Sequence, residues 1–152
     1  RDSAFERQSK RRLDAHWLER VPEFLQRWMH PPVAQHVLLH TEIMREHLML
    51  GRDGATPRLS GLFDFEPAML GAAEYEFASV GLFVACGDAR TLRRVLLAYG
   101  YPLQALDETL QCRFMAYALL HRYSNLRWYL ERLPAGDATT LEQLAVRWWP
   151  LQ

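Results

Sequence analysis

The side chains able to do chemistry gather in residues 36–66: His36, His40, Glu42, Glu46, His47, Asp64 and Glu66. They stand at the rims of two apolar runs, Leu48–Leu50 and Leu59–Phe63, joined by Gly51-Arg52-Asp53-Gly54-Ala55-Thr56-Pro57-Arg58, a stretch of turn residues. A hairpin brings its own flanks together, so the loop Thr41–Glu46 before the first strand and Asp64 at the end of the returning strand become neighbours. Glu42 and Asp64 can then face one cavity. Two acids and an imidazole around a cleft suit either a metal ion working with a general base or a zinc-type hydrolytic site. For the hydrolase the ligands would be His36, His40, His47 and Asp64. Strand spacing separates His36 from His40 by about 13 Å, too far to share one ion.

The elements that must position these groups are mostly helical. From Ser3 to Met29 the charged, helix-period sequence predicts two helices, with Pro22 early in the second and Pro31-Pro32 ending the segment. Lys10-Arg11-Arg12 lies among Glu6, Asp14 and Glu19 and reads as a solvated face without a role. Gln35–Leu39 is a short buried strand, and Pro67–Gly71 an irregular connector. Glu74–Cys86 is a helix apolar nearly all round, which belongs in the middle of a domain. Asp88 caps a helix over Ala89–Tyr99, and Gly100 ends it. Leu103 to about Leu133 is a long helical pattern broken near Ser124-Asn125. The last helix starts at a capping box, Thr139-Thr140-Leu141-Glu142, and runs to Trp149, with Trp148-Trp149 packing it onto the core.

At 152 residues the chain is one domain, large enough for a conventional core. It divides into a helical part (1–30), a loop and hairpin (35–66) and a second helical part (74–152). Eighteen Lys+Arg balance eighteen Asp+Glu, which removes any general attraction to nucleic acid or an anionic membrane. No apolar run approaches the roughly 18–20 residues that span a bilayer, and the N-terminus lacks a signal-peptide pattern, so a cytoplasmic location is expected. Cys86 and Cys112 lie in apolar helical patterns without metal spacing and read as buried free thiols.

Spacing within the central stretch sharpens the chemistry. His40-x-Glu42, then His47, then a strand ending Asp64-Phe65-Glu66 resembles the kinase arrangement H-x-D-x-x-x-x-N followed by D-F-G. With Gly71-Ala72-Ala73-Glu74-Tyr75-Glu76-Phe77-Ala78 included, the sequence looks like the aminoglycoside phosphotransferase family. Its pattern is roughly L-L-H-G-D-L-H-P-G-N-L-L, G-x-I-D-F-E/G-D and G-D-P-x-Y-D-L-A. The resemblance runs in order over residues 37 to about 79, and the later helices, including Arg113–His121, look like that family's C-terminal lobe.

The resemblance implies an α+β, mostly helical, protein-kinase-like C-terminal lobe whose small β-hairpin carries the catalytic loop and a metal-binding strand end. It implies transfer of the terminal phosphoryl group of ATP or GTP to a hydroxyl of a small molecule, aminoglycoside-like or another metabolite, with a divalent ion, Mg or Mn. Glu42 stands at the catalytic aspartate, with His40 as the loop's supporting histidine. His47 stands at the metal-binding asparagine and Asp64 at the second metal acid, both on the nucleotide side, and Glu76 stands at the acid that steadies the loop. Glu74, Tyr123, Trp128 and Glu131 are candidates for the acceptor wall. Neither nucleic acid nor a membrane is an expected partner.

Three of the departures from the pattern bear on the chemistry. Glu42 keeps a base but moves its carboxylate by about one methylene, and a misplacement of about 1 Å can cost on the order of a hundredfold in rate. His47 offers an imidazole, which suits Zn, Mn or Fe better than Mg. Ala72 replaces the acid of the G-D pair. The sequence opens at Arg1 and contains no glycine-rich phosphate loop or strand lysine, so it reads as a fragment whose N-terminal lobe is supplied in cis or as a separate segment. A catalytically degenerate kinase-like binding domain is the alternative.

Overall fold

The computed structural model describes residues 3–29 and 36–152, so the Pro31-Pro32 stop and the Gln35 strand start lie outside the described residues. Three short helices, not two, open the fold: α1 (Ala4–Lys10), α2 (Ala15–Leu18) and α3 (Val21–Trp28). The extra break comes from Arg12, whose φ of 56° ends α1, and from Asp14, whose side chain accepts from the His16 N–H and starts α2. Pro22 sits in the first turn of α3, where its missing N–H costs nothing.

The hairpin pairs β2 (Leu48–Asp53) with β3 (Thr56–Leu62), antiparallel, from Leu48↔Leu62 to Asp53↔Thr56. Its turn is shorter than expected. Only Gly54-Ala55 lies between the strands, and Gly54 takes the positive φ (61°) that a tight turn needs. Pro57 is tolerated inside β3 because a two-stranded ladder leaves one side of each strand unpaired. A second small sheet corrects the expectation of an irregular connector: β4 (Met69–Gly71) pairs antiparallel with β1 (Val37–Leu39), Val37 opposite Gly71. A Cβ on Gly71 would lie 2.7 Å from Leu39 Cδ1, so any side chain there would push the buried Leu39 aside. Three-residue strands are too short to leave a legible alternation.

The core lies around α6 (Glu108–Leu120), which packs against α3, α4 (Ala73–Ser79) and α8 (Leu141–Trp148). Residues on nearly every face of α6 are buried, among them Leu110, Phe114, Met115 and Ala118. After α4 the helix widens into a π turn over Val80–Ala85, ending at Cys86 in the left-handed conformation. Within it, Gly81 leaves room for Trp149. A Cβ there would overlap the indole of Trp149, whose Nε1 donates to the Phe77 carbonyl at 2.9 Å. Asp88 caps α5 (Ala89–Tyr99), and Gly100 closes it with a φ of 113°.

The long pattern after residue 103 resolves into a 3-10 turn (Leu103–Ala105), α6 and α7 (Leu126–Arg132), with the break at Ser124-Asn125 and Asn125 capping α7. The capping box of α8 is Thr140 with Gln143, one residue later than the sequence suggested, because Gln143 Oε1 takes the Thr139 and Thr140 N–H groups. Cys112 is fully buried, and burial pushes its thiol up to about 12. Cys86 is exposed, contrary to expectation, since its cap conformation turns it off the helix face. Among the described residues no helix is long and apolar enough to cross a membrane. The class is α+β, mostly helical, with a small two-sheet β region.

Candidate active site

Residues 40–47 link β1 to β2, and their backbone is held from outside. Glu76, in the first turn of α4, accepts the His40 N–H (2.6 Å) on Oε2 and the Thr41 N–H (3.0 Å) on Oε1. Burial pushes this carboxyl up, and the two N–H groups oppose the shift. The Thr41 carbonyl accepts from His121 Nε2 at 3.1 Å, while His121 Nδ1 takes the Tyr123 N–H at 3.3 Å. These two partners fix the Nε2–H tautomer. Desolvation pushes the His121 pKa down, partly offset by the Thr41 bond and the Glu42 charge. Thr41 itself is buried with a φ of 75°, a costly conformation for a β-branched residue and one its neighbours must enforce.

His40 is buried, with Nε2 2.7 Å from the Phe63 carbonyl and Nδ1 3.3 Å from the Glu42 N–H. A carbonyl only accepts, so Nε2 donates and Nδ1 accepts. Both nitrogens are therefore used by backbone, which ties the loop to the end of β3. Arg45 reaches the other way, its guanidinium forking onto the Val84 carbonyl in the π turn at 3.0 and 2.7 Å.

His47 and Asp64 face each other. Nδ1 of His47 lies 2.6 Å from the Glu42 carbonyl and so carries its hydrogen. Nε2 lies 3.4 Å from Asp64 Oδ2. In the neutral ring that leaves a lone pair opposite a carboxylate, an arrangement completed by a proton or a cation between them. Asp64 is held in place by a φ of 71°, which short polar residues tolerate. The pair fits a divalent ion that accepts nitrogen as well as oxygen, such as Mn, better than Mg. Among the described residues no three His, Cys, Asp or Glu side chains converge to hold a metal, so other ligands would be phosphate oxygens or water. His36 is exposed at the start of β1 and His40 has no free nitrogen, so the four proposed hydrolase ligands are not assembled.

Beside the loop lies a cavity of about 330 Å³ whose lining includes Glu42, Met44, Leu82, Phe83, Tyr123 and Trp128. Of the expected acceptor wall, Tyr123 and Trp128 line it. Glu74 instead pairs with Arg113 at 2.7 Å and Glu131 with Arg127 at 3.3 Å, and neither lines the cavity. Sequence reasoning missed Arg11 and His121, both in the lining. Arg11 gets there because buried Gln8, one turn earlier, donates to Ser124 Oγ and accepts from the Leu126 N–H, which anchors α1 at the α6–α7 junction. No local pattern encodes contacts of that range.

A family model described as Phosphotransferase enzyme family matches residues 1–113. No curated protein and no solved structure matches the chain. The family match ends inside α6, so His121, Tyr123, Asn125, Trp128 and Tyr129 of the cavity wall lie beyond it.

Proposed function

The chain belongs to the phosphotransferase enzyme family, and on that premise we propose that it moves the terminal phosphoryl group of ATP or GTP to a hydroxyl of a small molecule seated in the cavity beside Glu42. The observation that carries this reading is one short loop presenting Glu42 to that cavity and His47 to Asp64. The acceptor oxygen bonds to the γ-phosphorus, the bond from that phosphorus to the β,γ-bridging oxygen breaks, and the nucleoside diphosphate leaves. The hydroxyl proton passes to the Glu42 carboxylate, which orients the acceptor. His47 Nε2 and Asp64 Oδ2 would hold a divalent cation, Mn or Mg, which when bound neutralises charge on the phosphate oxygens. Glu76, His40 and His121 do no chemistry of their own and keep the loop backbone in register.

The His47–Asp64 contact also favours a second reading, in which the two side chains face each other without a cation and the domain binds nucleotide without turnover. Calorimetric titration of the full-length protein with ATP or GTP and Mg or Mn, repeated for Asp64→Ala, tests the first reading. Metal-dependent nucleotide binding should weaken by about tenfold or more in the variant. Unchanged binding would refute the metal role, and binding without diphosphate release would leave the second reading standing.

A further inference from the structure

The lining of the cavity beside Glu42 speaks to what enters it, and the inference rests on the transfer reading above. Leu82, Met44 and Ala118 supply aliphatic surface. Phe83, Trp128 and Tyr129 form a connected aromatic wall, with ring centroids 5.7 Å (Phe83–Trp128), 5.9 Å (Phe83–Tyr129) and 5.8 Å (Trp128–Tyr129) apart. Tyr123, 58% exposed, stands at the rim. Among the described lining residues Glu42 is the only carboxylate, Arg11 brings a positive charge, and burial holds His121 toward its neutral form.

A polycation entering such a space would shed the water around several ammonium groups and find one anion in return, against the field of Arg11. An apolar ring loses little on desolvation and gains stacking and dispersion contacts with the aromatic wall. Glu42, being the only acid, is left to meet a hydroxyl instead of an ammonium. We propose that the acceptor is an uncharged alcohol carried on an apolar, ring-bearing body, and that polycationic aminosugars are excluded. Its hydroxyl oxygen bonds to the γ-phosphorus while the bond to the bridging oxygen breaks, and its proton goes to Glu42.

The probes are 2-naphthaleneethanol and kanamycin, titrated calorimetrically into the full-length protein without nucleotide. The naphthyl alcohol should bind, and kanamycin should give no saturable heat. Tyr123→Ala removes a mostly exposed rim side chain, and Ala118→Met adds bulk at a buried position of the lining. Each should weaken naphthyl alcohol binding, by about threefold and about tenfold or more. Circular dichroism identifies a variant that fails to fold, and the rim variant then carries the comparison. Kanamycin binding, or naphthyl alcohol binding that neither variant moves, overturns the proposal. Diphosphate release is read separately. Turnover on kanamycin sinks the acceptor class and keeps the transfer reading, whereas variant-sensitive naphthyl binding without diphosphate release with any alcohol sinks the transfer reading and keeps the assigned ligand class.

Discussion

His121 Nε2 donates to the Thr41 carbonyl at 3.1 Å across 80 residues of sequence, and Nδ1 of the same ring accepts the Tyr123 N–H. A second proton on the ring would set N–H against N–H. Desolvation pulls in the same direction, and Arg122 and Arg7 add to it, while Glu42 and the Thr41 bond oppose.

The pH dependence follows from that depressed pKa. Above the ordinary value of 6.5 the ring is neutral in both folded and unfolded chains. As pH falls below 6.5 the unfolded chain takes up a proton that the folded chain refuses until its own lower pKa, so stability is lost on acidification. Urea midpoints measured from pH 7.5 to 5.5 should fall more steeply for the wild type than for His121→Gln, which keeps a donor and does not titrate. Parallel slopes would refute the assignment.

Glu76 fills two backbone donors with one carboxylate. Glu76→Ala leaves both buried and unpaired, at a cost of about 2–4 kcal/mol by urea denaturation. Amide exchange at His40 and Thr41 should accelerate together. Glu76→Gln, with a single acceptor oxygen, should fall between. Its raised pKa has the opposite sign to that of His121: stability from this group is lost as pH rises through the window above the ordinary value of 4.5.

Thr41 holds a φ of 75° in a position where the resembled family's pattern has glycine. Thr41→Gly should stabilise the protein by about 1 kcal/mol, the left-handed strain relieved exceeding the glycine's added entropy and the lost long hydroxyl bond (3.5 Å) to the Pro67 carbonyl. A thermal melt reads the sign directly, and a lowered midpoint would mean that the threonine side chain matters more than its backbone.

At position 47 the prediction concerns the metal. His47→Asn replaces an imidazole nitrogen with an amide oxygen and should move nucleotide binding from Mn toward Mg, changing the ratio of the two affinities by about tenfold. Calorimetry with each metal reads this without turnover. An unchanged ratio would place the cation away from His47.

Gly81→Ala should cost about 3 kcal/mol, since the methyl meets the Trp149 ring. Combined with Trp149→Leu it should cost less than the two single changes summed. Additivity in that cycle would show that the two residues are not in contact.

Much of this arrangement was legible in the sequence where the cause is local. Asp88 and Gly100 mark helix ends by cap chemistry, the break near Ser124-Asn125 was readable, and the central hairpin follows from two apolar runs around a Gly-containing turn. The order Glu42, His47, Asp64 was readable as spacing. What stayed hidden depends on distant partners. β4 is a strand only because β1 lies beside it, and the π turn exists with Trp149 seated over Gly81. Arg11 reads as solvated surface until Gln8 anchors α1. His121 sits in a helical pattern like any core residue, and its polarity has meaning only once Thr41 faces it.

Residues 40–47 draw bonds from Glu76, Val84 and His121, all outside the segment. Transplanted into another scaffold, the octet would carry its acid and imidazoles but none of those clamps, and Thr41 would relax to negative φ. The reactive groups would travel and their arrangement would stay behind. Any graft of this chemistry must therefore move the frame from α4 through His121 along with the loop.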